Sequence, residues 1–179
     1  MTGPHVIPFL PAYIPPDVDM NQVKADVARD GVSVPPADAA DVPALRQVVE
    51  QGRKEGIDLK IVVIEKSPPI DTPLRDIATE VGTANPGSTV LAISPTWAGT
   101  YSPTFNRVTL EAGQDVAKTG DPVQSSKNFL SELTTPHFPW TAFTIVLVLG
   151  VVAAAVATRM LHVRGKRTAT SQPATDTAD

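Results

Sequence analysis

Residues 140–158, WTAFTIVLVLGVVAAAVAT, limit what this chain can fold into more than any other stretch. No Asp, Glu, Lys or Arg lies between Glu132 and Arg159. Wound as a helix rising about 1.5 Å per residue, such a run matches the roughly 30 Å hydrocarbon core of a bilayer. Its flanks fit the same environment. Trp140 supplies an interfacial aromatic on one side, while Arg159, Arg164, Lys166 and Arg167 form a membrane-surface anchor facing anionic headgroups on the other. The competing reading is a core helix of a soluble domain. That helix would be long for so small a chain, and the basic cluster at its end would have no purpose. The pattern predicts one transmembrane helix over residues 140–161, then a basic and finally disordered tail over 162–179.

The residues before the span are enough to bury a core without disulfides. Cys is absent, which excludes thiolate metal sites and a Cys nucleophile but leaves the compartment open. The net charge of −4 conceals a division. Residues 1–139 hold eleven Lys/Arg against seventeen Asp/Glu, whereas residues 159–167 carry four cations and no anion. An acidic soluble part excludes nucleic acid as its partner. Lys/Arg excess marks the cytoplasmic side of a span, so the charge pattern places the domain outside the plasma membrane and the tail inside. Against this, the first twenty residues lack the basic and apolar regions of a signal peptide, which would favour a cytoplasmic, tail-anchored adaptor. The charge pattern is given the greater weight.

Residues 1–16 contain five of the eighteen prolines and read as an extended arm lying on its own domain. An α/β domain follows over 17–135. A first helix starts at Asp17 or Asp19 as N-cap, carries Met20, Val23 and Val27 inward and stops at Gly31. Residues 32–34 are a short strand. A second helix runs from Asp41 as cap, with Pro43 in its first turn, to Gly56. Residues 57–65, IDLKIVVIE, form a strand buried on both faces. A third helix begins at Asp71 or Thr72 and ends at Gly82, and residues 89–94, TVLAIS, complete a βαβ unit with a right-handed crossover. Residues 94–106 read as an uncharged loop and 107–110 as a third strand. Gly113 and Gly120 read as the ends of a polar loop, and a last helix spans 122–133. The linker 136–139 is short, holding the domain close to the bilayer. The whole is a three-layer α/β/α-like sandwich followed by one transmembrane helix.

Chemistry-bearing motifs are sparse. The two histidines before the span, His5 and His137, are not placed for a Ser–His–Asp arrangement. No GxSxG, Walker loop, GxGxxG or HExxH occurs, so no catalytic residue, metal ligand or cofactor site is assigned. Asp17/Asp19 and Asp26/Asp30 are spaced for a cap and a solvated helix face rather than for a cation. The loop 94–106 leaves the carboxyl end of a parallel strand, where open α/β sheets bind ligands. Its Trp97, Tyr101 and Phe105 either present a surface to a partner or form the lid of the domain's own core. Within the span, Gly150, Ala153, Ala154 and Ala157 line one face, spaced for close approach of a second helix, a homodimer included.

The segments NQVKADVARDGVS, GIDLKIVVIE, NPGSTVLAISP, NRVTLEAGQD and SSKNFLSELTTPHFPW, followed by a span, resemble a family of uncharacterised actinobacterial single-pass membrane proteins over about residues 13–165. Members are often encoded beside NlpC/P60-type peptidoglycan hydrolases, which implies a cell-envelope setting. The order of elements is also similar, more distantly, to the TPM domain, whose relatives include phosphatases, metal binders and assembly factors. This chain lacks the dense acidic cluster that domain carries after its last strand, and no site residue transfers. The expectation is an accessory or scaffold protein of the envelope, partnered by the bilayer and another membrane or envelope protein. The alternatives are a membrane-tethered, metal-dependent phosphate-ester hydrolase and the tail-anchored adaptor.

Overall fold

A computed structural model describes residues 13–135 and 140–170. Most of the Pro-rich arm, the linker 136–139 and residues 171–179 lie outside them. The chain divides into two compact units after Thr135.

The first unit is built as its local signals direct. Helix α1 (Met20–Asp30) opens on Asp19, whose carboxylate accepts from Asn21 N at 2.9 Å and Gln22 N at 3.3 Å. It closes on Gly31 at φ 83, a left-handed conformation that favours glycine. Strand β1 (Val32–Ser33) follows, then a 3-10 turn (Pro36–Asp41) and α2 (Val42–Lys54). Asp41 occupies the N-cap position of α2, but its side chain makes no capping bond. Strands β2 (Leu59–Val63) and β3 (Thr89–Ile93) are joined by α3 (Thr72–Ala84), and β1, β2 and β3 pair in parallel in that order.

The period of two in β2 and β3 separates the two cores. Leu59, Ile61, Val63, Leu91 and Ile93 point to one face, where Leu45, Val48 and Val49 of α2 meet them. Val62, Ile64, Val90 and Ala92 point to the other, under Val23 and Val27 of α1 and Leu74, Ile77 and Val81 of α3. Helices α4 (Arg107–Val116) and α5 (Pro122–Thr134) complete the first face, where Phe129 is the largest fully buried side chain. The result is three layers, helices on both sides of a mostly parallel sheet.

Three local expectations are corrected. Residues 94–106 are not all loop: β4 (Ala98–Tyr101) returns antiparallel along β3, with Ile93 opposite Ala98 and Val90 opposite Tyr101. Residues 107–110 are not a strand but the first turn of α4, capped by the Asn106 side chain accepting from Thr109 N at 3.0 Å. Gly82 does not stop α3, which runs two residues further, and Gly113 lies inside α4 rather than at a loop's edge. There a Cβ would meet the Phe129 ring at 2.8 Å, so α4 and α5 approach more closely than any side chain allows.

The second unit holds a single described helix, α6 (Trp140–Thr170). From Phe143 to His162 it has a mean hydropathy of 2.2 and none of it is buried, and it is long and apolar enough to cross a membrane. The only hydroxyl of its second half before Arg159, Thr158, donates back to Ala154 O at 2.8 Å. The helix continues to Thr170, so the first part of the tail expected to be disordered is helical.

Candidate functional site at the carboxyl edge of the sheet

The parallel strands β2 and β3 end side by side at Val63 and Ile93, and a cavity of about 110 Å³ opens there, bordered by Glu65 and Ser94 just beyond them. Asp38 of the 3-10 turn, Glu65, and Asp121 at the head of α5 supply its acids. Burial pushes the Asp38 carboxyl above its ordinary value of 3.8, and the charges of Asp41 and then Glu65 add to the effect. On the other side of Glu65 lies a second cavity of about 280 Å³, bordered by Asp17, Asp19, Asp26 and Lys66. The carboxyl edge is therefore predominantly acidic.

Half of these acids already have local work. Asp121 caps α5, accepting from Gln124 N at 2.7 Å. Asp19 caps α1. Asp26 accepts from Gln22 Nε2 at 3.0 Å and pairs with Arg29 at 3.0 Å, while Asp30 binds the Arg46 guanidinium. Among the described residues no three His, Asp or Glu groups converge as metal ligands. The hydroxyl of Ser125, which lines the first cavity, is held by Thr119 Oγ1 at 2.7 Å rather than by a base. This edge can accept a ligand bearing donors or positive charge, but it holds no nucleophile with a partner to activate it.

Trp97 is the last of the four residues, 94–97, that join β3 to β4. Its amide donates to Ser94 Oγ at 3.2 Å, and Ser67 Oγ accepts from Thr96 N at 3.0 Å, tying the neighbouring loops together. The ring is half-buried and packs on the α1/α3 core, as does Tyr101, whereas Phe105 packs on the opposite core. Trp97 and Tyr101 are thus partly buried against one core and Phe105 against the other. On α6, Gly150, Ala153, Ala154 and Ala157 are all exposed, as is Arg159. Trp140, Arg164, Lys166 and Arg167 lie within the same helix. Asp38 and Glu65 belong to no sequence motif because they are distant in sequence. The signal available for Glu65 was its place at the end of a buried parallel strand.

A family model described as membrane protein Rv1476 matches residues 13–172. The membrane protein Rv1476 of Mycobacterium tuberculosis (strain ATCC 25618 / H37Rv) is 59% identical over 177 residues, covering 97% of this chain and 94% of that protein. Among solved structures, the N-terminal domain of the cg2496 protein from Corynebacterium glutamicum superposes with a TM-score of 0.49 at 14% identity, over 68% of this chain and 84% of that one. The extent of the family match and the identity to its mycobacterial member establish that the chain belongs to the membrane protein Rv1476 family.

Proposed function

We propose that this protein is an accessory or scaffold component of the cell envelope, an α/β unit tethered at the outer face of the plasma membrane by α6. The carrying observation is the contrast between its two units. The α/β unit closes both of its own cores, while α6 exposes every apolar side chain from Phe143 to His162, a surface that only lipid or another apolar helix can cover. The excess of Lys and Arg after the span supports a cytoplasmic tail and an external domain. Carboxylates consumed in caps and ion pairs favour a binding role over hydrolysis.

Protease added to intact spheroplasts tests the arrangement. The expected result is digestion of the α/β unit with a C-terminal tag left protected; the reverse pattern would make the protein a tail-anchored cytoplasmic adaptor. The purified full-length chain is expected not to turn over p-nitrophenyl phosphate with Mg²⁺, Mn²⁺ or Ca²⁺. Turnover abolished by Asp38→Asn or Glu65→Gln would instead establish a TPM-type phosphate-ester hydrolase.

A further inference from the structure

We infer that the groove along the outer edge of β4 binds a carboxylate carried by an extended acidic peptide, with Gln114 as its buried donor. The groove measures about 230 Å³ and lies between β4 and α4, well apart in sequence from the acidic crevice. Helix α4 turns Arg107, Leu110, Glu111 and Gln114 toward it, the spacing of one helix face. Gln114 is only 6% exposed. Its Oε1 accepts from Thr100 Oγ1 at 3.3 Å, but its Nε2 has no partner among the described residues. No sealed side-chain nitrogen or oxygen there lacks a partner, so this Nε2 must reach the groove. Open to the groove and without a protein partner, this carboxamide nitrogen can donate to an acceptor that enters.

Two of the surrounding groups, Arg75 and Arg107, are also donors, beside the acceptor Glu111. Arg107 gives its Nε to Glu111 at 2.7 Å, and Arg75 one terminal nitrogen to Asp71 at 3.1 Å; each guanidinium keeps further N–H groups free for a ligand. Ser94 N donates to Trp97 O at 2.9 Å, which fixes the alternation of the β3–β4 ladder. Counting along β4, Thr100, opposite Leu91, then directs its own N–H and C=O away from β3, toward the groove. A site rich in donors selects an oxyanion. Arg107 is paired with Glu111 and Arg75 with Asp71, so the pairs carry no net charge; recognition rests on their remaining N–H groups, which suits a singly charged carboxylate better than a phosphate. The main-chain pair of Thr100 suits an extended peptide that carries it.

The test uses the full-length chain in lipid nanodiscs, titrated by calorimetry with a capped glutamate-containing hexapeptide, its glutamine counterpart, and acetate. The glutamate peptide is expected to bind saturably, and about tenfold or more tighter than the glutamine peptide. Gln114→Met should weaken it about tenfold and Arg107→Gln several-fold. The Arg107 side chain is 79% exposed, so that variant tests the site even if Gln114→Met disturbs packing. No saturable binding in the millimolar range, or equal affinity in wild type and Arg107→Gln, would overturn the assignment. Acetate binding as tightly as the peptide would overturn its extended-peptide part.

Discussion

The ring of Tyr101, on the edge strand β4, fills the space in which a side chain at Gly82 of α3 would begin. The same interface repeats the device at its other end, where a Cβ on Gly99 would run into the backbone of Leu74 and Arg75. Helix α3 therefore lies directly on β4, and two glycines set the distance. Gly82→Ala is expected to destabilise the domain by about 1–3 kcal/mol through overpacking. Adding Tyr101→Leu should recover part of that loss, since the residues are in contact and their effects do not add. Gly99→Ala should cost more, because its obstacle is backbone. Denaturant unfolding of these variants and of Tyr101→Leu alone would measure all of this, and a strictly additive double variant would refute the contact.

Asp38 makes stability depend on pH with a definite sign. Its carboxyl is raised above 3.8 in the folded chain, so the folded state holds the proton longer than the unfolded state does. Stability is then lost as pH rises from the ordinary value through the raised one, and the penalty stays constant above it. Asp38→Asn should therefore melt at a higher temperature than the wild type at about pH 7, with the difference vanishing near about pH 3. Glu65→Gln should give a smaller change in the same direction, being the third of the three causes. An unchanged melting temperature in Asp38→Asn at neutral pH would remove the electrostatic account of the crevice.

Much of this fold is legible in the sequence because its strongest elements carry unmistakable periods. The β-branched run in β2 and the proline-led starts of α2 and α3 are written locally. Residues Arg107 to Leu110 mislead because Val108 and Thr109 favour strands and four residues cannot separate a period of two from one of 3.6. The Asn106 cap, with Leu110, Gly113 and Ala117 at helical spacing, carried the better signal. Gly82 and Gly113 mislead for another reason. Glycine marks both chain ends and close approaches, and only the partner rings of Tyr101 and Phe129 tell which. The crevice of Asp38, Glu65 and Asp121, and the Gln114 groove, are tertiary assemblies with no local motif to announce them.

Trp97 belongs more to the lid of the α1/α3 core than to an open surface, since it is half-buried and packs there. Lys118 Nζ stands 6.0 Å from its ring centroid, at the limit of a useful cation–π contact. Trp97→Ala is expected to cost about 2 kcal/mol, short of the roughly 3–5 kcal/mol of a fully buried aromatic. Lys118→Gln should cost less than about 1 kcal/mol. If Trp97→Ala unfolds at the wild-type denaturant midpoint, its ring is reserved for a partner.

Gly150 offers the span a second test, because a Cβ there meets nothing within 4 Å and the residue presents bare backbone to its surroundings. Ala153, Ala154 and Ala157 extend that low profile along the same side of α6. Lipid gains nothing from a flat stripe, whereas a second copy of the helix gains close van der Waals contact. We therefore expect a cysteine placed at Ala154 to cross-link efficiently in native membranes. Gly150→Leu in that background should suppress the cross-link, while Val152→Leu, on the opposite side of the helix, should not. Equal cross-linking in both would leave α6 as an anchor that works alone.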